Sequence, residues 1–507
     1  MEESFPGFIR LTRLLASACL LLSFCQSLAS QTDDLAAKSR LAREAMVVGN
    51  FEEAAKRYAE LVRALPEKPG LVMNLGLALH SAGRYREAID QFQSVVKRQP
   101  DSTPAWLFLG LDFLKVSEPD KAVDPLEHVL RAEPDNQTAR LELASALLSS
   151  GRPEAAIPHL QHLAERDPTN PKVWQGIGLS YVALSQHAFN ELEKTAPESA
   201  YWDVLLANSL VSRNQYYSAF HLYKRALAKA PHPRAVYEGL AEVYRRTGHE
   251  DWATVEEDRE RHLPAPDCAT EVLECKFLDG RYPELLAIAN GVRTPGSFFW
   301  QARACSQLSL QAFDRLTQMP PTAEIHELMA EAYRIRGKYD LAVQEWQEAL
   351  KLASGNRRYL EGLARSLWLN REYSKAQPLL EKLVNKEPES AELNFELGDT
   401  LLWGEGPERS IPYLERAVRF SPGHLAAHAS LGRAYIRLDQ PEKAIPHLKA
   451  ALSLDEEGSI YYQLSQAYKK VGESTLAQKT MGEFEEISKS ARARRPQNVE
   501  EYVVTPP

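Results

Sequence analysis

Several residue groups have the types and spacing that catalysis or metal binding would need. His326-Glu327-Leu328-Met329-Ala330 opens as a zinc protease helix does, with a ligand histidine followed by a general-base glutamate. Ala330 stands where the second histidine must lie, one helical turn on, so two ligands on one face are not available. His159 and His162 are three residues apart, the spacing at which a helix could share a metal between them, but no third ligand is evident. Glu271, Glu274 and Asp279 offer carboxylates for acid–base work on a glycan or peptide, yet nothing in the sequence pairs an acid with a base. Gly176-Ile177-Gly178 lacks the third glycine of a dinucleotide loop, and neither a phosphate loop ending in Lys-Ser/Thr nor a haem-attaching Cys-x-x-Cys-His run occurs. The reading is therefore no catalytic residue, no cofactor and no metal, with these side chains as ordinary members of helices.

The elements that carry them follow one period. Pro66, Pro100, Pro134 and Pro168 lie 34 residues apart, and the same interval separates Pro197 from Pro231 and Pro388 from Pro422. In that frame Leu75-Gly76, Leu109-Gly110, Leu143-Ala144, Leu397-Gly398 and Leu431-Gly432 place small residues where two helices must approach closely. Gly49-Asn50-Phe51, Gly83-Arg84-Tyr85 and Gly337-Lys338-Tyr339 mark turns. Ala54, Ala88, Ala122, Ala156, Ala219, Ala342, Ala376 and Ala444 then recur just inside a second helix. Each unit reads as helix, turn, helix, and a lone hairpin cannot cover its own apolar face, so the units must stack. The chain is thus all-α, and its hydrophobic share of 44% suits a chain that buries a core. Its net charge of −9 lacks the basic excess on which nucleic-acid binding leans.

At these residues the chain resembles the tetratricopeptide repeat family, whose unit carries an aromatic at position 4, Leu-Gly at 7 and 8, Tyr at 11, Ala at 20, an aromatic at 24, Ala at 27 and Pro at 32. Unit 69–102 has Leu75, Gly76, Gly83, Tyr85, Ala88, Phe92 and Pro100; unit 323–356 has Ala330, Tyr333, Gly337, Tyr339, Ala342, Trp346 and Ala349; Trp106 and Trp174 fill position 4 of theirs. Good units fall at 35–68, 69–102, 103–136, 137–170, 200–233, 323–356, 357–390, 391–424 and 425–458, with weaker ones at 171–199, 234–267 and 458–489. The expected organisation is an N-terminal array over 35–267, in which 171–199 is short and 234–267 divergent, then degenerate helical hairpins over 268–322, a C-terminal array over 323–489 and a flexible tail over 490–507. The resemblance implies an α-solenoid of about 12–14 units wound as a right-handed superhelix, with the first helix of each unit lining a concave groove that takes a peptide or a partner's helix.

The groove-facing positions of the first helices can then be read off. At the N-terminal end they include Met46, Val47, Met73, Leu77, Leu107, Leu111 and Leu114, apolar side chains suited to an amphipathic helix. At the C-terminal end they include Glu327, Glu331, Arg358, Arg365, Trp368, Asp399, Trp403, Arg433 and Arg437, a polar and aromatic wall whose arginines could grip an acidic segment. The chaperone-type carboxylate clamp is not met, because unit 35–68 has Ser39 and Arg43 at its key positions.

Two further features bear on place. Residues 1–30 have a signal-peptide outline: Arg10 and Arg13 precede an apolar run from Leu14 to Cys25 too short to span a bilayer, with Ser27-Leu28-Ala29 for cleavage. Beyond the leader, Cys268, Cys275 and Cys305 allow at most one disulfide. If Cys268 and Cys275 shared a helix they would be about 10 Å apart along its axis. Cys275 or Cys268 with Cys305 is then the better pair, three buried thiols being the alternative. The expected protein is an exported, non-enzymatic scaffold or adaptor for other proteins or peptides, in a bacterial periplasm or envelope or else secreted. It touches a membrane only through an uncleaved or lipidated leader. The rival readings are a regulatory or substrate-presenting subunit of an envelope-assembly or protein-maturation enzyme and, more distantly, a glycan- or peptide-acting enzyme.

Overall fold

A computed structural model describes residues 35–229, 234–494 and 504–507. The signal-peptide reading of 1–30 and the linking part of the tail, 495–503, lie outside the described residues. Among the described residues there is no strand, and no helix is long and apolar enough to cross a membrane.

The chain divides into two compact units, residues 1–168 and 169–507. In the first, helices follow the 34-residue period without interruption: α1 (35–47), α2 (Phe51–Ala64), α3 (Pro69–Ser81), α4 (Tyr85–Arg98), α5 (Thr103–Lys115), α6 (Pro119–Ala132), α7 (Gln137–Ser149) and α8 (Pro153–Arg166). Local chemistry sets these ends. Asn50 and Asn136 accept from the backbone N–H groups of Glu53 and Ala139, satisfying donors that a helix start leaves open, and prolines occupy the first turns of α3, α6 and α8, where no N–H is needed. Gly83, at φ +78°, makes the left-handed turn from α3 to α4. The predicted alanines of the second helices have no exposed surface, and a Cβ placed on Gly76 would come within 2.6 Å of the Phe92 ring. That approach packs the two helices of a hairpin together.

The second unit departs from the simple series. It begins with α9 (Pro171–Thr195) and continues through α10 (Ala200–Ser212), α11 (Tyr216–Lys229), α12 (Arg234–Arg246), α13 (Glu250–Arg261), α14 (Val272–Leu278), α15 (Tyr282–Ala289) and α16 (Pro295–Thr317). Regular pairs then resume as α17 (Ala323–Ile335), α18 (Tyr339–Leu352), α19 (Arg357–Leu369), α20 (Tyr373–Lys386), α21 (Ala391–Gly404), α22 (Pro407–Phe420), α23 (Leu425–Arg437), α24 (Pro441–Ala450), α25 (Ser459–Lys470) and α26 (Ser474–Arg494).

The two long helices, α9 and α16, pack against each other, and they form one repeat that has been opened. Turn residues recur in the left-handed conformation at Gly49, Gly83, Ser117 and Gly151, and the next in the series, Ser185, lies inside α9 instead. Helix α9 therefore runs on where a turn was expected. Gly178 occupies the close-approach position, but the ring that a Cβ there would strike, at 2.6 Å, is Phe313 of α16. The half of α9 carrying Trp174, Leu179 and Val182 packs on a cluster of Phe313, Leu316, Ile325, Met329 and Ala332, and the Gln175 amide donates to the Leu328 carbonyl of α17 at 3.1 Å. Residues 171–184 and the end of α16 thus make one hairpin that leads into α17. Residues 185–305 are inserted between its two helices and have a core of their own, running from Ala188 to Ala304.

The expected order of a short unit at 171–199 followed in line by 200–233 is corrected accordingly. Within 268–322, read as degenerate helical hairpins, α14 and α15 do pair across the left-handed turn at Gly280, but α16 departs from that reading because it closes a hairpin begun before the insert. At the other end, the tail read as flexible from 490 differs as well: α26 reaches Arg494, and Val504 is buried in the insert's core.

The cysteine pairing is also corrected. The disulfide joins Cys268 to Cys275 with their Cα atoms 5.7 Å apart. The axial-rise argument fails because α14 begins only at Val272; Cys268 sits in the preceding turn, where the Asp267 side chain accepts from the Ala269 N–H at 3.0 Å and the chain folds back. Cys305 is buried on α16 outside the disulfide.

Candidate functional site

The first helices of the C-terminal pairs, α17, α19, α21 and α23, carry every residue predicted for the polar wall. The structure joins these side chains chiefly to one another. Arg358 pairs with Glu327 at 2.6 Å, and the Arg365 guanidinium donates to Glu396 at 2.5 Å. The Trp368 indole N–H donates to Asp399 at 3.0 Å, and Asp399 accepts a second bond from the Ser430 hydroxyl at 2.7 Å. Arg437 donates to the Leu402 carbonyl at 2.5 Å. Each bond ties one first helix to the next, and the frame explains why: Glu327–Arg358, Arg365–Glu396, Trp368–Asp399 and Asp399–Ser430 all span 31 residues.

Burial sharpens these ties. Glu396 is wholly buried, its second oxygen has no hydrogen-bond partner, and the cost of desolvating a carboxylate, opposed only in part by Arg365, pushes its pKa up to about 7. Arg358, Arg365 and Arg437 already serve internal acceptors, so gripping an acidic partner would cost them these bonds. What the wall leaves open is Trp403, 51% exposed, with the Arg433 guanidinium 5.3 Å from its ring centroid.

The N-terminal stripe is of another kind. Met73 and Leu77 on α3 and Leu107 and Leu111 on α5 are half-buried, presenting part of their apolar surface. Between them one polar tie was not foreseen: the His80 Nδ1 lies 2.5 Å from a carboxylate oxygen of Asp112, which has no exposed surface. Burial, opposed by His80, raises the Asp112 pKa, and its other oxygen is unpartnered. The signal that could have found Asp112 and Glu396 is an acid embedded in an apolar run, as in Leu109-Gly110-Leu111-Asp112-Phe113.

The residues considered for chemistry are placed as follows. His326 bonds Glu345 at 2.7 Å, and its neighbour Glu327 is the partner of Arg358. His159 faces Arg140 at 3.4 Å. Among the described residues no three or more His, Cys, Asp or Glu side chains gather as a metal would require. Glu271 accepts from the Asp267 N–H at 2.8 Å across the disulfide turn, and Glu274 is buried 3.6 Å from Arg234. These carboxylates are spent on local structure.

Stacked helical hairpins with side-chain ties at a fixed interval define an α-solenoid of the interaction class. Family models described as tetratricopeptide repeat match residues 39–103 and 361–403, 113–178, and 425–457, and the chain belongs to the tetratricopeptide repeat family. No curated protein matches it. Among solved structures, MamA (41-end) from Desulfovibrio magneticus RS-1 is 22% identical over 34% of this chain and 98% of its own, with a TM-score of 0.30. A tetratricopeptide repeat protein from Parabacteroides merdae ATCC 43184 is 13% identical over 66% of this chain and 98% of its own, also at 0.30.

Proposed function

We propose that this protein is an exported, non-enzymatic scaffold that binds other proteins through the first-helix faces of its repeats. The observation that carries the reading is Trp403: a large aromatic, half exposed and capped by Arg433, on a wall whose Arg358, Arg365 and Arg437 are already bonded within the protein. Tryptophan and arginine are the side chains that most often dominate interface energies, and a surface that is otherwise bonded to itself is rigid before it binds. The half-buried leucines of α3 and α5 offer a second, apolar site for a helix of a partner. The net charge of −9 favours protein over nucleic acid as partner. Export to a bacterial periplasm or envelope is supported by the signal-peptide outline of 1–30 and by the Cys268–Cys275 disulfide, which suits an oxidising compartment.

Photoreactive residues at Trp403 and Leu111, introduced in living cells, test the reading. Capture of a protein at either site, lost with Arg433→Ala for the first and Leu77→Asp for the second, is the expected result. Capture only by a control position on a second helix would overturn it and assign binding to the outer surface.

A further inference from the structure

The end of the chain is seated on the insert. Val504 is only 5% exposed and joins the apolar cluster that includes Phe220, Tyr244 and Ala253. The Tyr244 hydroxyl donates to the carbonyl oxygen of Thr505 at 2.9 Å. Recognition therefore has two points, a β-branched side chain taken into a core and a main-chain carbonyl held by a phenol. Pro506 and Pro507 suit the segment to this, because proline fixes φ and brings no backbone N–H to be satisfied.

With the tail in place, the receiving surface is a set of interlocked rings. Tyr244 on α12 has no exposed surface; its ring meets Trp252 of α13 edge-on at 5.6 Å, and Trp252 stacks on His249 at 3.9 Å. Burial, and then the nearby Glu256 carboxylate, pushes the Tyr244 pKa up to about 12, so the phenol stays a donor at any physiological pH. Glu256 is itself wholly buried, with one oxygen on Arg259 at 2.9 Å and the other unpartnered, a spare acceptor in the same hairpin. None of these groups belongs to the first-helix wall of the array.

We propose that the α12–α13 hairpin is a docking site for an extended segment in which a β-branched residue is followed closely by prolines, and that the protein's own Val504–Pro507 fills it in cis. A partner bearing such a segment must displace the tail, which makes the tail a built-in competitor. The proposal concerns the insert alone and stands or falls separately from binding at Trp403.

A fluorescein-labelled peptide of sequence Glu-Glu-Tyr-Val-Val-Thr-Pro-Pro tests it by polarisation against three full-length proteins: wild type, Val504→Asp, and Val504→Asp with Tyr244→Phe. A tethered tail acts at an effective concentration of order millimolar, so wild type should bind the peptide at least tenfold more weakly than Val504→Asp. Loss of the phenol's hydrogen bond should then weaken binding about two- to tenfold. A chain ending at Arg494 serves if Val504→Asp loses its helical circular dichroism, and should bind as Val504→Asp is expected to. No binding by a folded, tail-free protein would overturn the site. Equal binding by wild type and Val504→Asp would overturn cis occupancy, as would a concentration-dependent wild-type dimer that Val504→Asp abolishes.

Discussion

The contiguous hairpin α3–α4 and the opened hairpin of α9 and α16 solve the same packing problem by different routes. In the first, Gly76 receives the ring of Phe92 from the very next helix; in the second, Gly178 receives that of Phe313 from beyond α10–α15. The contact is conserved in kind while the chain path is not, so a repeat here is defined by which surfaces meet rather than by which residues are neighbours in sequence. A second difference follows. The array after α16 adds side-chain ties at a 31-residue interval to its apolar clusters, whereas the insert adds a short disulfide loop to an aromatic-rich core.

The largest expected effect tests the equivalence of the two hairpins. Phe92→Ala and Phe313→Ala each remove a ring packed on a glycine and should each destabilise their hairpin by about 3–5 kcal/mol. Native-state hydrogen exchange should show Phe313→Ala opening the first half of α9 together with α17. Lys194→Ala, at the position that would face Gly178 in an uninterrupted hairpin, should change exchange by less than about 0.5 kcal/mol. Equal losses from Phe313→Ala and Lys194→Ala would abolish the distinction.

Next comes the tie at Glu396. Its pKa is raised from 4.5 to about 7 in the folded chain, so across that window the folded state holds a proton that the unfolded state releases. Its contribution therefore makes the α19–α23 region most stable below about pH 4.5, less so as pH rises to 7, and level above that. The amplitude is a few kcal/mol by the linkage of about 1.4 kcal/mol per pKa unit. Glu396→Gln should flatten the dependence when urea midpoints are compared from pH 5 to 8. Persistence of the slope in that variant would assign it to another group.

For the insert, reducing Cys268–Cys275 should cost about 2 kcal/mol, the loop-closure value for so short a ring, with increased exchange confined to α14 and α15. A loss that spread into α19–α23 would show that the two regions are not separately held. Trp403→Ala should move stability least, within about 0.5 kcal/mol, since half of the ring is already in water. Partner capture at that face should nevertheless disappear.

Much of this was legible in the sequence because the frame repeats: the prolines, the buried alanines and the small residues fixed hairpins and their first-helix faces. The opening of one hairpin was not, and Ser185 shows why. The frame places a turn there, and serine does not exclude one, since Ser117 makes the left-handed turn at the equivalent position with φ +60°. What differs is the tertiary setting: α9 packs along α16, and Ser185 donates to the Ala302 carbonyl of that helix at 2.9 Å. The wall residues were also legible, but their partners were not, because reading each helix by itself leaves Arg365 and Glu396 unconnected although they lie one unit apart. The cysteine pairing failed for want of a helix start, a boundary that local composition marks poorly.

The meeting of Ser185 with Ala302 and Ser306, at 2.9 and 3.0 Å, has a consequence for how such a chain can be edited. The polypeptide leaves the array and rejoins it at one place, so the whole excursion hangs from a single doorway. A gene segment can enter or leave through it while residues 171–184 and the end of α16 keep their packing on α17. Excising residues 186–304 and bridging the gap with a tight turn would leave a single hairpin of ordinary repeat length, while the excised segment would take away its own core and the seat of Val504–Pro507.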